Sequence, residues 1–148
     1  NSIGNEAKVA VEYHDLDGLE QFAYRYTWVH NGQEMRNVKA LALFCTMIRK
    51  SVIQQCGMLD DGYRVGMFED DDYSEAVRAA GWGMAIVDDA FVHHQDGATF
   101  KKLDKKKYET VFKVNLKRFE EKWNKKWEMH SYRPGMTTEQ NKDCLLEI

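Results

Sequence analysis

Four carboxylates stand side by side at Glu69-Asp70-Asp71-Asp72, directly after the apolar Phe68. Adjacent acids repel one another, so a fold accepts them only where a helix N-terminus, a cation or solvent relieves the charge. The residues alone leave two readings open. One is a solvated acidic turn at the start of a helix. The other is a general base whose acidic neighbours tune its proton affinity and anchor its loop. A second polar cluster, His93-His94-Gln95-Asp96-Gly97, follows the apolar Ala90-Phe91-Val92. Adjacent histidines at a strand end project to opposite sides, so at most one of them points into a given site. A neutral imidazole near carboxylates serves as a metal ligand in one reading and as half of a surface pair in the other.

The elements that would position these clusters follow from periodicity and stop signals. Asp15 is a good N-cap, and Leu16, Leu19, Phe22, Ala23 and Tyr26 recur at helical spacing before Gly32, which predicts a helix from about 16 to 29. The run Val38 to Met47 is nearly all apolar past Lys39 and predicts a central strand buried on both faces. Ser51 to Cys56 reads as a short helix closed by Gly57, and Leu59-Asp60-Asp61-Gly62-Tyr63 has loop chemistry. A helix from Asp72 to Ala80 is expected, capped by the acidic cluster and stopped by Gly81. Trp82 to Val87 and Ala90 to His93 read as short strands broken by Asp88-Asp89. Tyr108, Val111, Phe112, Asn115, Leu116, Phe119 and Trp123 form one stripe and predict a packing helix from about 105 to 126. The single proline, Pro134, marks a turn that leads into a polar tail.

Composition bounds the function. The 148 residues make a chain of 17.3 kDa, the size of one domain, and 43% hydrophobic residues with 4 Trp, 7 Tyr and 7 Phe can build a core. A net charge of -3 gives no field that would draw nucleic acid. Cys45, Cys56 and Cys144 show no CxxC spacing, so neither a disulfide framework nor a zinc site is expected, and reduced thiols fit a cytoplasmic location. No stretch approaches the roughly 18–20 apolar residues of a membrane span, and Asn1-Ser2-Ile3-Gly4 lacks the features of a signal peptide. The chain opens without a methionine, which suggests a piece of a longer protein.

Four blocks carry a resemblance. Cys45-Thr46-Met47-Ile48-Arg49-Lys50, Gly57-Met58-Leu59-Asp60-Asp61, Gly66-Met67-Phe68-Glu69-Asp70-Asp71-Asp72-Tyr73, and Phe91-Val92-His93-His94 leading to Gly97-Ala98-Thr99-Phe100 occur in that order. Together they resemble the second half of glycosyltransferase family 2, most strongly over about residues 38 to 102. The resemblance implies an α/β fold, the C-terminal, acceptor-side half of a GT-A (nucleotide-diphospho-sugar transferase) fold, with a mixed sheet, flanking helices and a long C-terminal helix. Residues 1–130 would form that half and 131–148 a polar tail.

The implied reaction is inverting transfer of a sugar, of the hexosyltransferase type, from a nucleotide-sugar to a glycan, lipid-linked or protein acceptor such as a cell-surface polysaccharide. Asp70 would be the catalytic base with Glu69 beside it, and Asp72, Trp82 and Tyr63 would face the acceptor. By spacing to Gly97 and Thr99, His94 rather than His93 would join the metal and diphosphate site, and Lys101 and Lys102 would lie near the donor diphosphate. Mn2+ or Mg2+ is the implied cofactor, with its main Asp-x-Asp ligands expected in a preceding half. Asp15-Leu16-Asp17 spells that motif but opens a helix instead of ending a buried strand. Many relatives carry an arginine where Ala76 stands, and here only Arg78 is present. A fragment of this kind is expected to be nearly inert alone, to pair as a homodimer through exposed edges, and to reach the membrane periphery only through other parts of its parent. Two rivals remain: a non-catalytic glycan- or partner-binding module using Trp82, Tyr63 and the long helix, and a metal-dependent hydrolase using the acidic cluster with His93 or His94.

Overall fold

A computed structural model describes residues 6–94 and 104–133. The chain divides into two compact units. The first takes its described residues from the stretch up to Val38, from Ala85 to His94 and from His130 to Arg133; the second takes them from Lys39 to Met84 and from Asp104 to Met129.

In the first unit, α1 (Leu16–Val29) starts where Asp15 accepts the Gly18 N–H at 2.7 Å. This cap satisfies an amide that a helix start leaves without an intrahelical acceptor. Asp15 is therefore spent on the helix start and ends no buried strand. Phe22 and Tyr26, on the inner face of α1, join Tyr13 and Phe91 in an aromatic cluster, with centroids 5.5 Å apart for Tyr13–Phe22 and 5.0 Å for Phe22–Phe91. β1 (Glu34–Arg36) pairs antiparallel with β2 (Ala85–Val87), placing Met35 opposite Ile86.

Among the described residues the sheet has only these two antiparallel strands, so the mixed sheet is not seen. Of the segments Trp82 to Val87 and Ala90 to His93, only Ala85–Val87 joins a ladder. The Asp88 N–H turns back to the Gln33 carbonyl at 2.9 Å, Asp89 accepts the Gly32 N–H at 3.0 Å, and Phe91 is then drawn into the aromatic cluster. Arg133 completes the corner with a 2.6 Å ion pair to Asp88.

In the second unit, α2 (Lys50–Cys56) ends at Gly57, whose φ of +82° suits a residue without a side chain. α3 (Glu69–Ala79) packs on α2, with the Tyr73 hydroxyl donating to the Gly57 carbonyl at 3.2 Å. α4 (Lys105–Trp123) is capped by Asp104, which accepts the Lys107 N–H at 2.9 Å, and stops at Asn124 with φ +48°. It is three residues shorter than its stripe suggested, because Asn124 takes the left-handed conformation that terminates helices. Buried Tyr63, Phe68 and Phe119 centre a core to which Phe112, Leu116, Trp123 and Trp127 add.

The expected central strand over Val38 to Met47 is absent. Val38 and Ala40 are buried, but residues Leu43–Cys45 form a single 3-10 turn and Met47 is 100% exposed. The backbone groups that a ladder would have used are taken by side chains: Ser74 Oγ accepts the Leu41 N–H at 3.0 Å, and Arg78 donates to the Lys39 carbonyl. An apolar run specifies burial, and burial can be satisfied without strand partners.

Candidate active site

The acidic cluster is delivered by an unusual backbone. Val65, Gly66, Met67 and Phe68 all have positive φ, at 71°, 95°, 76° and 72°. Only glycine adopts this region freely; each of the other three costs about 1–3 kcal/mol, and β-branched Val65 resists it most. Two contacts offset the strain. The Phe68 ring is buried, with centroids 5.2 Å from Phe112 and 5.3 Å from Trp127. The Asn115 side-chain amide, 2% exposed on α4, donates to the carbonyls of Gly66 at 2.9 Å and Met67 at 3.1 Å.

α3 begins at once, since the Asp72 N–H reaches the Phe68 carbonyl at 2.8 Å. The helix therefore starts at Glu69, three residues before the predicted start, and all four carboxylates occupy its first turn. There the unpaired N–H groups and the helix dipole favour negative charge. The four acids then diverge. Asp72 points inward and is 3% exposed; its Oδ1 accepts from the Tyr63 hydroxyl at 3.0 Å and Trp123 Nε1 at 2.9 Å, and its Oδ2 from Lys122 Nζ at 2.8 Å. Asp71 accepts from Trp127 Nε1 at 3.2 Å. Asp70 is half-buried, and Glu69 Oε2 is buried with no hydrogen-bond partner among the described residues.

The loop before the cluster is tied to the same helix. Asp60 accepts from Lys122 Nζ at 3.0 Å, the Gly62 N–H at 2.9 Å and Arg118 Nη2 at 2.7 Å. Those donors, led by Lys122, hold its carboxyl down at about 2. Lys122 thus bridges Asp60 and Asp72. Burial alone would lower its proton affinity, but hydrogen bonds to both carboxylates outweigh that and raise it. The Tyr63 hydroxyl is pushed up by burial first and by the Asp72 charge second. A Cβ on Gly62 would lie 2.1 Å from the Arg118 guanidinium carbon, so a side chain there would displace that end of Arg118 from its present place.

The candidate residues named from the sequence are distributed unevenly. Glu69, Asp70, Asp72, Tyr63 and Trp82 belong to the second unit, and His93 and His94 to the first. Asp72 and Tyr63 are buried against each other. Trp82 donates its indole N–H to Gln55 Oε1 at 2.8 Å. Arg78 pairs with Glu75 at 2.5 Å. Lys101 and Lys102 lie outside the described residues. His93 Nδ1 is 2.7 Å from the Tyr13 hydroxyl, and burial lowers its proton affinity. Among the described residues there is no group of three or more His, Cys, Asp or Glu side chains that could hold a metal ion.

A family model described as "Glycosyltransferase like family 2" matches residues 9–112, more than half of the chain. The chain belongs to this glycosyltransferase family. No curated protein and no solved structure matches it. The family match takes in the acidic turn, the Asp60 loop and both histidines, and it ends inside α4. Asn115, Arg118, Lys122, Trp123 and Trp127, which grip the acidic turn and its approach, therefore lie past the matched part of this glycosyltransferase chain. The α4 stripe predicts a packing helix, or a binding face in the rival module, and neither expectation includes this grip. One signal was present: Asn115 is a polar residue on an otherwise apolar stripe, and such a residue must find a hydrogen-bond partner when buried.

Proposed function

We propose that the chain forms the acceptor-side part of an inverting glycosyltransferase in which Asp70 is the general base. The observation that supports this is the anchoring of its helical turn. Asp72 and Asp71 bind residues of α4 and its extension, which fixes the orientation of the turn that carries Asp70. A base held on a rigid helix start can stay within hydrogen-bond reach of an attacking hydroxyl. Asp70 takes the proton of the acceptor hydroxyl as its oxygen attacks the anomeric carbon of the donor sugar. The new carbon–oxygen bond forms on the face opposite the nucleoside diphosphate, whose bond to the sugar breaks, so the configuration inverts.

Glu69 completes the acceptor side in this assignment, while Asp72 and Tyr63 act by holding the turn; Trp82 follows the opposite end of α3 and would meet only the distal part of a long acceptor. Lys101 and Lys102 remain the proposed partners of the donor diphosphate, on charge, and His94 with His93 stays assigned near it through the resemblance. The resemblance implies a divalent cation, so the assay contains one.

The test is release of nucleoside diphosphate by the intact protein from a panel of nucleotide-sugars with Mn2+ or Mg2+, wild type beside Asp70→Asn. The expected result is turnover with at least one donor that falls at least about 100-fold in the variant, as loss of a general base does. A full rate in Asp70→Asn refutes the assignment of the base. Absence of turnover with every donor favours a binding module instead.

A further inference from the structure

We infer that Asn115 is a positioning residue for the proposed base. Its amide nitrogen spans two successive carbonyls, of Gly66 and Met67, in the middle of the left-handed run Val65–Phe68. That run is the lead-in to α3, and Asp70 stands two residues beyond its end. A backbone in this conformation persists only when its surroundings impose it. Beside the buried Phe68 ring, Asn115 is the polar group that imposes it, from α4 and at 2% exposure among apolar neighbours, where an amide is tolerated only if it is hydrogen-bonded. A side chain that merely filled the core at this place would be apolar. The amide therefore sets the direction in which the chain enters α3, and with it the place of Asp70. Asn115 lies past the residues that the family model matches.

The inference rests on the reading of Asp70 as base, and the experiment separates the two. In the intact protein, acceptor-dependent kcat per folded molecule and donor KM are measured for wild type, Asn115→Ala, Asp70→Asn and the double variant. Asn115→Ala lowers kcat on the order of 10–100-fold, the loss that a misplacement of about 1 Å produces, with donor KM essentially unchanged. In the Asp70→Asn background the same substitution causes no further loss, because both act through one group. Asn115→Gln keeps both amide donors on a stem one methylene longer; its intermediate loss carries the test if the alanine variant does not fold. A wild-type kcat per folded molecule in either variant, or equal losses in the two backgrounds, assigns Asn115 a structural role only and overturns the inference while the base stands. A fully active Asp70→Asn overturns the base reading, whatever Asn115 does.

Discussion

Asp60 is a carboxylate whose environment clearly alters its chemistry. Its carboxyl is held at about 2 by Lys122, by the Gly62 N–H and by Arg118. The folded value lies below the unfolded one, so the ionised form favours the fold. That contribution is fully present above the unfolded value, near pH 4, and is lost as pH falls through about 2. Lys122 and Arg118 stay charged throughout this window. The urea midpoint should therefore fall between about pH 4 and pH 2, and Asp60→Asn should flatten that part of the profile. An unchanged slope in the variant would remove Asp60 as the cause. Added salt should shrink the effect, since Arg118 and Lys122 are partly solvent-exposed.

At the scale of elements, α4 does two things at once. One face supplies Phe119, 1% exposed, to the core with Tyr63 and Phe68. The same face and its C-terminal end supply the polar groups that hold Asp60, Asp71 and Asp72. Core and site are thereby coupled. Phe119→Ala should cost about 3–5 kcal/mol in chemical denaturation, the usual loss for deleting a buried aromatic ring. A loss under about 1 kcal/mol would mean that the core around Phe68 collapses onto the space and does not depend on this ring. α1 presents a contrasting case. Its inner face joins an aromatic cluster, while Tyr24 and Trp28, four residues apart on its outer face, are 72% and 73% exposed.

For the molecule as a whole, two compact units, each with its own aromatic cluster, make up a chain that belongs to a glycosyltransferase family. No helix among the described residues is long and apolar enough to cross a membrane. Met47 and Met58 in the second unit are 100% and 79% exposed, in addition to the α1 aromatics. Exposed apolar side chains of this size favour association when they are contiguous. The chain on its own should bind a hydrophobic dye and show a mass by light scattering that rises with concentration. A constant monomeric mass without dye binding would show that these side chains are dispersed and do not form a patch.

Local rules explain what could be read directly. Helical spacing and an Asp15 cap mark α1 to the residue, and Gly57 and Gly81 close their helices, because caps and stops depend on a few neighbouring residues. The four blocks around Asp60, Asp70 and His94 identify the family, since their residue types and order are themselves the signal. Long-range pairing was hidden. The run from Val38 to Met47 has strand composition, yet Ser74 and Arg78 take its backbone groups, and no local pattern encodes that choice. The acidic turn was visible as chemistry, but which carboxylate turns inward was not. That was decided by α4, some fifty residues further along the chain, where Lys122 and Trp123 meet Asp72 and where Asn115 holds the strained approach to Asp70. Residue type states what a side chain can do; only the packing of one helix against another selects the one that is held and the turn that is presented.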